Sequence, residues 1–213
     1  MCAPADLRSN QSSTPNGLNP ARQVGINTSS TDEGPLALMN ARRGNGTGIV
    51  IQGLRQRADA EECANMMAGS EPWITLRRGF DASLKLLTDL QREVYLAMAE
   101  GEIAGFVIIN THGSFPHLQS VCVASQLRNK GIGTRLIDYA EKRIFSESPN
   151  VFVCVSSFHR RPLRLFERRG YKVIGELKDW IVSGYSQVML RKTIGPLTGF
   201  KTGSRDPDTP FAA

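Results

Sequence analysis

Val121-Cys122-Val123, followed after Ala124-Ser125-Gln126-Leu127 by Arg128-Asn129-Lys130-Gly131-Ile132-Gly133-Thr134, is the most informative stretch of the chain. The Val-x-Val run alternates as a strand does. From Ile132 onward the period changes: Ile132, Leu136, Ala140 and Ile144, with Ile137 alongside, recur at helical spacing. The passage therefore predicts strand, glycine turn, helix. The first N–H groups of a helix have no intrahelical acceptor and carry partial positive charge, so they favour a diphosphate. Glycines at 131 and 133 keep side chains away from those N–H groups, Arg128 and Lys130 add charge, and Thr134 adds a hydroxyl donor. A dinucleotide fingerprint fits less well, because its third glycine would fall at Leu136 and no acidic residue ends a following strand at the right distance.

Working outward, Arg135, Asp138, Glu141 and Lys142 fall largely on the polar side of that helix, with Asp138 and Lys142 placed to pair across one turn. Val151-Phe152-Val153-Cys154-Val155 is an unbroken apolar run, as in a strand covered on both faces. Pro162 suits the opening of another helix and Gly170 its end. Lys172 to Leu177 and Gln187 to Arg191 read as two closing strands. Upstream, Ile49-Val50-Ile51 is strand-like and Ala58 to Ala68 helical. Asp81 is placed to cap a helix through Leu84, Leu87 and Leu90, and residues 73–79 read as loop. Val94 to Met98, a Glu100-Gly101 turn and Gly105 to Ile109 form a hairpin, with a third strand over Leu118 to Val123. The order predicts an α/β protein: a mixed sheet with helices on both faces.

The composition narrows what surrounds this unit. Residues 1–46 are rich in Ser, Thr, Asn, Gly and Pro with no sustained apolar period, which predicts a disordered tail. Residues 194–213, with three prolines, predict a second tail, leaving one domain over 47–193. The net charge is +6; the first tail contributes +1 and the second none, so most of the excess lies in the domain. Such charge suits a polyanion, whether nucleic acid, acidic membrane or a phosphorylated cofactor. No run approaches a membrane span and no basic-then-apolar leader opens the chain, so the expected location is cytoplasmic with no membrane partner. Cys2, Cys63, Cys122 and Cys154 form neither a CxxC pair nor a disulfide framework, and His112, His117 and His159 lack ligand spacing with them. No metal is expected.

Arg-x-x-Gly-x-Gly at the start of a helix, after a Val-x-Val strand, resembles motif A of the GNAT N-acetyltransferases. Residues 157–171, Ser-Phe-His-Arg-Arg-Pro-Leu-Arg-Leu-Phe-Glu-Arg-Arg-Gly-Tyr, resemble their motif B, written N-x-x-A-x-x-L-Y-E-x-x-G-F. The resemblance implies the GNAT acyl-CoA N-acyltransferase fold: a mixed, mostly antiparallel sheet of six or seven strands with about four helices, two strands splaying at the cofactor cleft. It implies acetyl-CoA as cosubstrate, with the pantetheine arm between the strands ending near Val123 and Val155, and Val121, Cys122, Val123, residues 128–134 (Arg128, Asn129, Lys130, Gly131, Ile132, Gly133, Thr134), His159 and Phe166 around the cofactor. It also implies direct attack by a neutral amine on the thioester, which needs a base, oxyanion donors and an acid for the thiolate.

The departures fall on the proton-transfer positions. Where motif B has Asn stands His159, where it has Ala stands Pro162, and its Tyr corresponds to Phe166. Some relatives place a Glu base where Cys154 stands. His159 and Tyr185 are therefore the candidate proton carriers, and Trp73, Arg77 and Asp179, with Glu71, the candidate acceptor-site residues. The expected activity is acetyl transfer from acetyl-CoA to a primary amine of unread identity, on a small molecule or a peptide, with a homodimer as the default assembly. A non-catalytic acyl-CoA-binding module is the alternative that Phe166 and Cys154 suggest. A nucleic-acid or ribosome partner ranks last, because no aromatic platform accompanies the arginines at 160, 161, 164, 168 and 169.

Overall fold

The computed structural model describes residues 48–203, so the expected N-terminal tail lies outside the described residues, as do 204–213. The elements run β1 (Val50–Gly53), α1 (Arg57–Ala68), α2 (Phe80–Leu87), β2 (Glu93–Ala99), β3 (Glu102–Asn110), β4 (His117–Val123), a single 3-10 turn (Ser125–Leu127), α3 (Ile132–Phe145), β5 (Asn150–Ser156), α4 (Arg160–Arg168), β6 (Lys172–Leu177) and β7 (Gln187–Thr193). This is the order the periodicities predict. The seven strands form one sheet, β1-β2-β3-β4-β5-β7-β6, antiparallel everywhere except between β4 and β5.

Two cores flank the sheet, because successive side chains of a strand point to opposite faces. On one face α1 and α2 bring Ala60, Cys63, Ala64, Met67 and Leu87 onto Leu96, Phe106, Ile108 and Cys122. On the other, α3 and α4 bring Leu136, Ile137, Ala140, Ile144 and Phe166 onto Val107, Ile109, Leu118, Val151, Val153 and Leu190. β3 lies between both layers, which explains its nearly uninterrupted apolar run, all buried from Ile103 to Ile109. β6, at the sheet's end, is open along almost its whole length, and a bulge falls between Val173 and Gly175. Residues 194–203 return along the domain, Ile194 N donating to Pro149 O and Gly203 N to Ser146 O.

The structure corrects three expectations. Asp81 does not cap α2: the N-cap is Gly79, Asp81 lies in the first turn, and the helix stops at Leu87, leaving Leu90 fully exposed. Asp138 does not pair with Lys142; it accepts instead from Arg169, at the end of α4. Glu141, expected on the polar face of α3, is only 2% exposed. Helical periodicity sees one helix and the sheet beneath it, but here α4 and β7 also close over α3. They bring two cations to this carboxylate, Arg169 at 3.2 Å and Lys192 at 2.6 Å. Removing one member of a buried, paired set leaves uncompensated charge. Glu141→Ala is therefore expected to lower unfolding stability by about 3 kcal/mol, read as a shift of the urea midpoint. A shift no larger than that of an exposed Glu→Ala control would show that the network holds nothing.

Candidate active site

The opening in the sheet is the central feature. β4 and β5 pair only through His117↔Phe152 and Leu118↔Val153, although β4 continues to Val123 and β5 to Ser156. The closed end is held by Phe152 N donating to Pro116 O at 3.1 Å. Beyond it the strands separate, so residues 119–123 turn one backbone edge into a gap instead of onto a neighbour. Their other edge is paired with β3 up to Gly105↔Val123. Unpaired strand edge in a water-accessible slot offers N–H and C=O groups to an extended, amide-bearing ligand.

At the wide end of the gap stands the glycine turn. Asn129 (φ 65°) and Gly131 (φ 80°) both take the left-handed conformation, a local curl that turns backbone N–H groups to one side. Gly131 is the N-cap of α3 and no side chain caps the helix. The first helical bond from this end is Arg135 N to Gly131 O, so the amides of Ile132, Gly133 and Thr134 keep their donors. A Cβ on Gly131 would meet no protein atom within 4 Å, and one on Gly133 would only touch Val123 Cγ2 at 3.6 Å. The space on the Cβ side of Gly131 is therefore free of protein. Oriented donors, a helix dipole and room for a bulky anion together fit the diphosphate of coenzyme A.

Arg128 plays a part that its position in the motif does not announce. Its Nε donates to Val123 O at 3.1 Å and its Nη2 to Ser70 Oγ at 3.2 Å, so it braces the end of β4 against the segment after α1. Asn129 Oδ1 accepts from Arg161 Nη2, which ties the turn to the start of α4. Lys130 and Thr134 are exposed beside it. Cys122 turns its side chain into the α1–α2 core, and burial pushes its thiol up to about 11. Val121 and Val123 pack partly against the α3 core. Only backbone is left on these three residues to meet a ligand in the gap. Phe166 is 5% exposed and packs edge-on against Tyr171 at 5.1 Å.

The candidate proton carriers His159 and Tyr185 both lie against Phe158, in the segments that follow β5 and precede β7. His159 is the N-cap residue of α4, with its own N–H donating to Ser156 O at 2.8 Å. Burial lowers its pKa from the ordinary histidine value; the nearby Glu71 carboxylate opposes this and Arg128 reinforces it. The imidazole stacks beside Phe158, and Phe158 meets the Tyr185 ring edge-on at 4.9 Å. Ser186 N donates to Ser157 Oγ at 3.3 Å, holding the β6–β7 loop against this corner. His159, Phe158 and Tyr185 thus form one aromatic corner, on whose imidazole the Glu71 carboxylate acts electrostatically.

The other acceptor-site candidates are placed differently. Trp73 is 6% exposed and belongs to the α1–α2 core. Arg77 is exposed, with a left-handed φ of 53°. Asp179 accepts from Gly184 N at 2.6 Å, so its carboxylate closes the β6–β7 loop. Glu71 accepts from Thr75, both at the hydroxyl (3.0 Å) and at the N–H (3.3 Å). Cys154, on the splayed part of β5, is partly exposed, with its thiol pKa raised by burial. Sequence reading did not name Ser70 and met Phe158 only as part of motif B, since each matters through a contact distant in the chain. Among the described residues no His, Cys, Asp or Glu cluster is placed to hold a metal ion, and no helix is long and apolar enough to cross a membrane.

Comparison with known proteins follows the same outline. Residues 81–182 match the family described as "Acetyltransferase (GNAT) domain". No curated protein matches the chain. Among solved structures, a protein of Desulfovibrio desulfuricans assigned to the GNAT family aligns with TM-score 0.59 at 13% identity, over 70% of this chain and 100% of its own. An aminoglycoside 6'-N-acetyltransferase in complex with coenzyme A aligns with TM-score 0.58 at 18% identity, over 69% of this chain and 98% of its own. A GNAT family acetyltransferase from Elizabethkingia anophelis with acetyl-CoA bound aligns with TM-score 0.52 at 16% identity, over 68% and 98%. At these identities the likeness is one of fold. Residues 81–182, which span the glycine turn and α4, thus match a GNAT acetyltransferase domain, and the fold is the one these GNAT acetyltransferase structures share.

Proposed function

We propose that this domain transfers the acetyl group of acetyl-CoA to a primary amine by direct attack in a ternary complex. The observation that carries the reading is the abrupt end of β4–β5 pairing after two residue pairs, together with a helix that no side chain caps and whose N-cap glycine borders space free of protein. The diphosphate rests on the amides of Ile132, Gly133 and Thr134, with Lys130 beside them, and the pantetheine arm pairs with the free edge of β4 around Val121. A backbone N–H there polarises the thioester carbonyl and stabilises the tetrahedral oxyanion. The amine nitrogen forms its bond to the carbonyl carbon, the C–S bond breaks, and the nitrogen loses one proton while the thiolate gains one.

His159 is the proposed acceptor of the amine proton. Its depressed pKa keeps the imidazole neutral at physiological pH, the form a base needs. Tyr185, across Phe158, is the proposed donor to the thiolate in place of the tyrosine that Phe166 replaces. Trp73 supports the acceptor wall from within the core, and Asp179 keeps the facing loop closed.

The test is release of free thiol from acetyl-CoA by the purified protein over a panel of amines, amino acids and N-terminal peptides. Turnover above hydrolysis is expected for at least one class of acceptor. Coenzyme binding without turnover across a broad panel would refute the transferase reading. The pH profile tests the base. A group whose pKa is depressed is protonated only in acid, so kcat is expected to fall as pH drops through a value below the ordinary 6.5 of histidine. His159→Gln is expected to remove that acidic limb and lower the plateau by about a hundredfold. Persistence of the limb in the variant would assign it to another group.

A further inference from the structure

Arg160, Arg164 and Arg168 stand one helical turn apart on α4, and Arg161 lies beside them. Together they line an open hollow of about 390 Å3. Among the described residues none of the four is in an ion pair. The contrast with Arg169 is informative. That side chain takes Asp138 and Glu141 of α3, and Lys192 takes the second oxygen of Glu141, so these acids beside α4 are already engaged. Glu167, on the same helix, is exposed and forms no ion pair with the stripe. Like charges four residues apart repel each other along a helix. A row of guanidinium groups around a hollow is stabilised most by an anion that enters it.

The stripe is also contiguous with the glycine turn, because Arg161 donates to Asn129. A ligand whose diphosphate sits on that turn continues into a ribose bearing a phosphate dianion at its 3′ position. The planar fork of arginine matches a phosphate better than an ammonium does. We infer that the arginine face of α4 holds the 3′-phosphate of coenzyme A, so that the protein discriminates coenzyme A from 3′-dephospho-coenzyme A. This rests on the acetyl-CoA reading above. Arg161 secures the turn and Arg164 and Arg168 provide the selectivity.

Binding is measured by calorimetry with coenzyme A and with 3′-dephospho-coenzyme A, so no acceptor need be known. The wild type is expected to prefer coenzyme A by about tenfold or more, with the preference shrinking as salt is raised. In Arg164→Gln/Arg168→Gln the ratio of the two affinities is expected to fall to within about twofold. Equal binding by the wild type would overturn the inference while leaving the acetyl-CoA reading intact. A preference that survives in the double variant would do so too, placing the phosphate elsewhere. So would equal binding accompanied by heparin retention that the double variant loses, which would give the stripe to a macromolecular polyanion. Failure to bind either coenzyme would strike at the acetyl-CoA reading itself.

Discussion

A Gly131→Val variant is expected to bind coenzyme A at least about tenfold more weakly than the wild type, a loss on the order of 1.4 kcal/mol or more. Two effects converge. The position is left-handed (φ 80°), a conformation that a β-branched residue adopts only under strain. The side chain would also project where no protein atom lies within 4 Å, which is the space assigned to the diphosphate. Gly131→Asn separates them, since asparagine tolerates the left-handed region far better. If crowding of the ligand dominates, the asparagine variant keeps its unfolding midpoint and still loses affinity. Gly133→Ala, whose added methyl group meets only Val123 Cγ2 at 3.6 Å, is expected to fold normally and to lose less affinity. Undiminished calorimetric affinity in a folded Gly131→Val protein would place the coenzyme elsewhere.

That the glycine turn could be recognised in advance follows from the locality of its signal. A strand alternation, two glycines and a 3.6-residue period sit within one short segment, and each is dictated by backbone geometry. The succession of the eleven helices and strands among the described residues was readable for the same reason. What escaped was the product of contacts between segments distant in the chain. Glu141 reads as a surface residue until Arg169 and Lys192 arrive from α4 and β7. Arg128 reads as a free cation until Ser70 and the Val123 carbonyl are seen to hold it. Phe158 and Tyr185, 27 positions apart, touch only because β7 lies beside β5. The splay of β4 from β5 came from the family resemblance, because neither strand's residues encode where pairing stops. Proton carriers were the least readable part, since a base is defined by its surroundings: for His159 the burial that lowers its pKa belongs to the fold.

Gly105 shows how a residue remote from the chemistry sets the site. Glycine inside a strand weakens it unless another backbone must come close, and here one does. A Cβ at position 105 would lie 2.6 Å from Cys122 O and 3.1 Å from Val123 Cα, with Leu136 Cδ1 at 3.3 Å. The Leu136 tip can yield, but the two backbone atoms cannot move without parting β3 from β4. Gly105↔Val123 is the last pair of that ladder, immediately before the 3-10 turn and the glycine bend, and Val123 is where Arg128 anchors the bend. Gly105→Ala is therefore expected to cost about 2–3 kcal/mol of unfolding stability through overpacking, and to weaken coenzyme A binding in the molecules that remain folded. Gly175→Ala is the control: it too lies in a strand, but on the open β6, where an added Cβ meets nothing within 4 Å. It is expected to change the urea midpoint little and coenzyme affinity not at all. If the two variants unfold together, β3 is not held against β4 as closely as described. If Gly105→Ala loses stability but binds coenzyme A normally, the position of the bend does not depend on this strand pair.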